Sequence, residues 1–235
     1  MNSTKKAARV AGLVYFLASL PAPFVLIYIP GKLIVRGDAA ATAHNILASE
    51  SLFRIGIVGE LLSFAAFLFV PLALYRLLKG VDKAQASVMV ALIGVSLPIS
   101  LVNVLNSIAA LTILRGPDYL SVFSQPQREA LAMLFLKLHG QGFLIAEIFW
   151  GLWLVPFGVL VFKSGFLPRI LGMLLIAACF GYLAESLTPL LLPHYVDTVG
   201  RFTKFLTPCE LPIILWLLIM GARDQPLDPL ASSSL

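Results

Sequence analysis

Four glutamates, Glu60, Glu147, Glu185 and Glu210, stand inside long apolar runs. An ionisable group near the centre of a bilayer costs at least about 2.5–3.5 kcal/mol, so it faces a cavity or a partner rather than lipid. Depth follows from the helical rise of about 1.5 Å per residue. Glu60 lies six residues past Arg54 and Glu210 six past Lys204, each about 9 Å in. Glu147 lies eight past His139, about 12 Å in. Glu185 runs the other way, sixteen past Arg169, which leaves it roughly 6 Å from the same outer face. All four fall in the outer third of their spans, with no Lys or Arg in the span interiors. Four close anions cannot all stay ionised. Some hold protons, a cation supplies the charge, or Arg54, Arg128 or Lys137 folds inward.

An acidic intramembrane pocket attracts positive charge. The leading expectation is therefore an outward-facing pocket that binds or transports a proton, a metal cation or an organic cation. It would be lined by the four glutamates, with Asn103 and Asn106 as amide partners and His139 at its mouth as a ligand or proton carrier. The alternative is a metal-dependent intramembrane enzyme acting on a lipid or another amphiphile. There Glu60, Glu147, Glu185, Glu210 and His139 could hold a divalent metal, with a remaining glutamate as general base. A third reading is non-catalytic: a sensor or assembly subunit whose glutamates only hold helices together. Whether the protein is an enzyme stays open. Small and hydroxyl residues accompany the carboxylates on the same faces: Gly140 and Gly151 with Glu147, Gly181 and Thr188 with Glu185, Thr203 and Thr207 with Glu210. Such faces belong on packed helix interfaces. The stripe Ser96, Ser100, Asn103 and Ser107 is first of all a packing device. His44 and His194 are expected outside the membrane core, and Trp150, Trp153 and Trp216 as packing or lipid-facing residues.

The elements that carry these residues follow from composition. The chain has 235 residues, 59% hydrophobic and 12% charged, with a mean hydropathy of +0.93. A soluble domain is about 25% charged and could not hide so much apolar surface. A soluble enzyme, a disordered chain and a nucleic-acid-binding module are excluded. The net charge of +5 is spread as punctuation between apolar runs, as membrane-flanking charges are. Cys179 and Cys209 lie inside apolar runs and read as small buried hydrophobes. Six stretches are long enough to cross a bilayer of about 30 Å: approximately 10–30, 55–76, 86–113, 140–162, 168–190 and 204–222. The fold class is all-α, a polytopic six-helix transmembrane bundle with short outer surface helices, and residues 1–235 form one transmembrane domain whose partner is the lipid bilayer. Segments 1–9, 76–87, 163–169 and 222–235 hold nine Lys/Arg in 42 residues, against eight in 65 for 30–54, 115–139 and 190–204. That bias puts both termini in the cytoplasm.

Local signals refine this layout. Pro21 or Pro23 kinks or ends the first span. The third span, with 31 uncharged residues after Lys83, must tilt or begin several residues later. Asp38 suits the N-cap of a surface helix over 39–48, with Ala40, Ala43 and Leu47 as its apolar face. Ser124 and Pro126 suit the start of a second surface helix through 127–138, which could bend into span four at Gly140-Gln141-Gly142. Glu50 and Arg54 are placed to pair at i,i+4. No Gly-rich phosphate loop, His-Glu-x-x-His or Gly-x-Ser-x-Gly is present.

Several strings also carry a resemblance in their order and spacing: Arg9-Val-Ala-Gly-Leu-Val-Tyr15, Gly37-Asp38 through Ala43-His44-Asn45-Ile46, Leu72-Ala-Leu-Tyr75-Arg76-Leu77, Leu167-Pro168-Arg169-Ile-Leu171-Gly172, and Glu210 ahead of Leu215-Trp216-Leu217 and Gly221. Together they resemble the bacterial membrane family catalogued as domain of unknown function 4386. The resemblance implies a multi-pass protein of the bacterial inner membrane. It carries no catalytic residue or cofactor to these positions.

Overall fold

Proline decides where these helices break. A computed structural model describes residues 3–223; most of the 222–235 segment counted above lies outside the described residues. Six helices are long and apolar enough to cross a membrane: Ser3–Leu33, Glu50–Leu78, Lys83–Arg115, Gln125–Lys163, Arg169–Leu191 and Pro193–Ile219. They are spans one to six, and among the described residues there is no strand. The protein is an all-α polytopic bundle.

Span one comprises α1 (Ser3–Ser19), a π-helical turn over Pro23–Tyr28 and α2 (Ile29–Leu33). The change of winding falls at Pro21 and Pro23, as the sequence predicts. α3 (Ala39–Ala48) follows, then span two, α4 (Glu50–Phe67) and α5 (Phe69–Leu78). α4 and α5 meet at Leu68 because Pro71 has no N–H for the Phe67 carbonyl. α6 (Lys83–Arg115) is unbroken despite Pro98. It begins directly at Lys83, since Asp82 Oδ1 caps it by accepting from the Gln85 N–H at 3.1 Å; the later start allowed by the sequence does not occur. Span four repeats the break of span two. α7 (Gln125–Leu152) and α8 (Leu154–Lys163) meet at Trp153, where Pro156 leaves the Leu152 carbonyl without its donor. α9 (Arg169–Leu191) forms span five. Span six is α10 (Val196–Leu206), a 3-10 turn over Thr207–Glu210 and α11 (Leu211–Ile219), interrupted at Pro208 and Pro212.

Three local expectations need correction. α3 is capped by Asp38, whose Oδ1 accepts from the Ala41 N–H at 2.8 Å, but its buried face is Thr42, Ala43 and Ile46, while Ala40 and Leu47 face outward. The Thr42 hydroxyl turns the helix: its oxygen accepts from the Val35 N–H at 2.9 Å and it reaches the Asp38 carbonyl at 2.7 Å. The helix that starts after Ser124 is continuous through Gly140–Gly142 into span four, with no break there. Gly142 instead lies against Asn103, and a Cβ there would sit 2.5 Å from the Asn103 Cγ. The segment 190–204, in which no helix is predicted, is largely helical, with Phe202 outward and Thr203 buried.

The termini of the described chain, the 79–82 turn and the 164–168 turn gather at one end, the terminal face. There the Arg223 N–H donates to the Phe166 carbonyl and Lys163 pairs with Asp82 at 3.5 Å. α3 and the 116–124 connection lie at the opposite, distal face. The main core fills the terminal half around Tyr15, Leu74, Met89, Trp153, Phe157 and Leu175. A second core around Leu33, Ile46, Phe53, Leu114 and Leu136 fastens α3 to the distal ends of the spans.

Candidate functional site

Each of the four carboxylates sits on a different span at matched depth. Glu60 stands sixteen residues before Arg76 and Glu147 sixteen before Lys163. Glu185 stands sixteen past Arg169 and Glu210 thirteen before Arg223. Counted from the basic residues of the terminal face, the glutamates are therefore about 20–24 Å in. Helical winding also turns all four to one place. Glu60, Glu147, Glu185 and Glu210 line a single cavity of about 540 Å³, to which all six spans contribute.

Their partners differ, and so does their exposure. Glu60, 7% exposed, meets His139, with Oε2 3.0 Å from Nε2. Glu147, 8% exposed, accepts from the Ser186 hydroxyl at 3.2 Å. Glu210 accepts from two phenols, Tyr15 and Tyr182, the latter at 2.9 Å. Glu185 is exposed and makes no such bond, but it stands near enough to Glu147 to act on it electrostatically. The sequence pattern assigns no site role to Tyr15, Tyr182 or Ser186. A signal was there: a tyrosine inside an apolar span needs a partner for its hydroxyl, and Tyr182 lies thirteen residues past Arg169, the separation of Glu210 from Arg223.

The other predicted residues stand behind the cavity. Asn103 donates to the His139 carbonyl at 2.8 Å and accepts from Asn106 at 3.0 Å; neither asparagine reaches the cavity wall, and His139, expected at the mouth, stands behind Glu60 and off the lining. They hold the backbone that carries His139. Ser96 and Ser100 bond to carbonyls of their own helix, at Ile93 and Ser96, as packing residues do. None of the candidate cations folds inward: Arg54 pairs with Glu50 at 2.7 Å, Arg128 donates to the Phe123 carbonyl, and Lys137 is exposed. No Lys or Arg lines the cavity.

The remaining walls are apolar, aliphatic on the side of spans one and six and aromatic opposite. Trp150 meets Phe143 edge-on, with centroids 4.8 Å apart, and Phe64 at 6.2 Å. Trp153 lies below them against Tyr15 and Phe67. Trp150 and Trp153, expected only to pack or to face lipid, form part of the cavity because the break at Pro156 falls beside them. The Ser63 hydroxyl oxygen is buried in the same wall without a protein partner.

The family described as Domain of unknown function (DUF4386) matches residues 10–221. The chain belongs to that family. It is also similar to an uncharacterized protein of Archaeoglobus fulgidus, 35% identical over 79 residues, which span 34% of this chain and 46% of that relative. No solved structure matches it significantly.

Two features of this DUF4386 chain limit what its cavity can hold. Among the described residues no three His, Cys, Asp or Glu side chains gather closely enough for a metal ion. The reason is visible in the partners: Glu60, Glu147 and Glu210 each turn to a different neighbour. The second feature is the mouth. Spans one and six touch most tightly at Gly12, where a Cβ would lie 2.5 Å from the Leu217 carbonyl carbon. Toward the distal end they part, and the π-helical turn of span one packs on α4. Pro23 and Ile27 on one side, and Pro208 and Leu211 on the other, line the cavity while remaining exposed. The cavity thus opens sideways between spans one and six.

Proposed function

We propose that this protein binds an organic cation with an apolar body in the cavity between its spans and exchanges it with the surrounding bilayer. The observation that carries this reading is four carboxylates around one aromatic-walled cavity that no Lys or Arg lines. Carboxylates attract the charge, and the aromatic rings of Trp150, Phe64 and Phe143 favour a desolvated cation over a hydrated one. The lateral mouth suits an amphiphile that already resides in the leaflet. Cations and protons compete for the same oxygens, so binding weakens as pH falls. In this reading the protein sits in the bacterial inner membrane with both termini cytoplasmic. Lys5, Lys6, Arg9, Arg76, Lys79, Lys163 and Arg169 cluster toward the terminal face, which supports that orientation, and the mouth then faces the outer leaflet.

The test is titration of purified protein in nanodiscs with tetraphenylphosphonium, followed by tryptophan fluorescence. Saturable quenching is expected, weakened at least about tenfold by Glu147→Gln or Glu185→Gln in a folded protein. Magnesium or zinc alone should not reproduce it. Quenching equal in wild type and both variants, or none at all, overturns the reading.

A further inference from the structure

A second cavity, of about 580 Å³, lies on the outer flank of the bundle between α4 and α6, away from the carboxylates. Its two ends differ in chemistry. At the distal rim stand Arg54 and Arg115, with Thr112 and Tyr119 beside them. One to two turns deeper the walls are Ile57, Val58, Ile108 and Leu111. α4 enters the membrane at Arg54 and α6 leaves it at Arg115, so the antiparallel pair places both guanidinium groups at one depth. Val58 and Ile108 are 53% and 40% exposed, so nothing in the protein fills the groove.

The charge at the rim is incompletely balanced. Glu50 takes the Arg54 Nε at 2.7 Å and touches one terminal nitrogen of Arg115 at 3.8 Å, which leaves most guanidinium donors of both residues unused by it. Arg128 stands close by, its guanidinium against Gly116. Two arginines, Arg54 and Arg115, thus share one glutamate, and Arg128 adds a third positive charge nearby. A planar guanidinium pair suits the oxygens of a phosphate, which it can hold in bidentate fashion. Basic pockets between transmembrane helices recognise lipid head groups in this way. A bare anion would use the rim and leave the apolar walls empty. A zwitterionic lipid would bring its own cation to an already positive rim.

We propose that this groove binds an anionic phospholipid, its phosphate held by Arg54 and Arg115 and one acyl chain laid along Ile57, Val58, Ile108 and Leu111. The site is separate from the carboxylate cavity and does not rest on the function proposed for it.

Native mass spectrometry of the detergent-purified chain can test this, with dioleoylphosphatidylglycerol, dioleoylphosphatidylcholine and inorganic phosphate titrated separately. One phosphatidylglycerol should bind saturably, at least about tenfold more tightly than phosphatidylcholine. The double substitution Arg54→Gln with Arg115→Gln should remove that preference. Arg36→Gln, a distal exposed arginine outside the groove, should keep it. Val58→Trp fills the groove without altering charge and should weaken phosphatidylglycerol too, which keeps the test open if the double variant folds poorly. Equal binding of the two lipids overturns the site, as does wild-type phosphatidylglycerol binding in either the double variant or Val58→Trp. A loss in Arg36→Gln as large as in the double variant would mean diffuse surface charge. Phosphate alone binding as tightly as phosphatidylglycerol would mean an anion site without an acyl groove.

Discussion

Alanine at Gly12 adds one carbon at the crossing that sets the angle between spans one and six. That carbon would lie 2.5 Å from the Leu217 carbonyl carbon and 2.8 Å from the Leu217 Cβ, with the Leu218 amide nitrogen nearer still. Ordinary carbon contacts are about 3.5–4.0 Å, so the two helices must part by roughly 1 Å. The obstructing atoms are mostly backbone and cannot rotate aside. Overpacking of this kind costs about 1–3 kcal/mol. Against it stands the helix preference for alanine over glycine, about 0.8–1.0 kcal/mol. The net effect is a loss of up to about 2 kcal/mol. Gly94 in α6 supplies the internal reference, since nothing lies within 4 Å of a Cβ built there. Gly94→Ala keeps the propensity gain alone and should stabilise by up to about 1 kcal/mol. Reversible unfolding of both variants in mixed micelles, followed by circular dichroism, separates the contributions. Tyr15 lies one turn from Gly12 and donates to Glu210, so Gly12→Ala should also alter tetraphenylphosphonium affinity, whereas Gly94→Ala should not. If Gly12→Ala is as stable as Gly94→Ala, the close crossing is wrong, and with it the pinch that opens the mouth.

Gly142→Ala should displace the Asn103 side chain from the His139 carbonyl and lower stability by about 0.5–1.5 kcal/mol; Asn103→Ala should then cost little more in that background, which a double-mutant cycle of thermal unfolding will show. Ala43→Pro removes an N–H from the middle of α3 and should destabilise that helix by about 3 kcal/mol, read as faster hydrogen exchange over 39–48; unchanged exchange there would refute an ordered surface helix. Asp82 is held below its ordinary value of 3.8, first by the backbone N–H of Gln85 and then by the nearby Lys163. Because the folded value is the lower one, its contribution is full above that ordinary value and is lost as pH falls through the folded value. Asp82→Asn should therefore flatten the acid limb of the midpoint-versus-pH curve below about pH 4 and leave the curve's shape near neutrality unchanged.

What the sequence determined is what depends on distance along one chain. Apolar length between basic residues defines a membrane span because the bilayer thickness and the helical rise are both constants. The same constants put Glu60, Glu147, Glu185 and Glu210 at one depth before any helix is packed. Asp38 and Ser124 were legible as caps because a cap is satisfied within three residues; Ser124 closes its box with Gln127. What only the tertiary structure decided is what depends on rotation about the helix axes and on which helix lies opposite. Gly142 reads as a bend in the sequence, yet it is a seat for Asn103, a residue 39 positions away. Tyr15 and Glu210 are 195 positions apart and meet because Gly12 lets spans one and six touch. The turning of four glutamates toward one cavity, the tryptophans that wall it and the opening beside it belong to that second class. They arise from helix crossings, set by which small residue faces which neighbour, and no count along the chain contains that pairing.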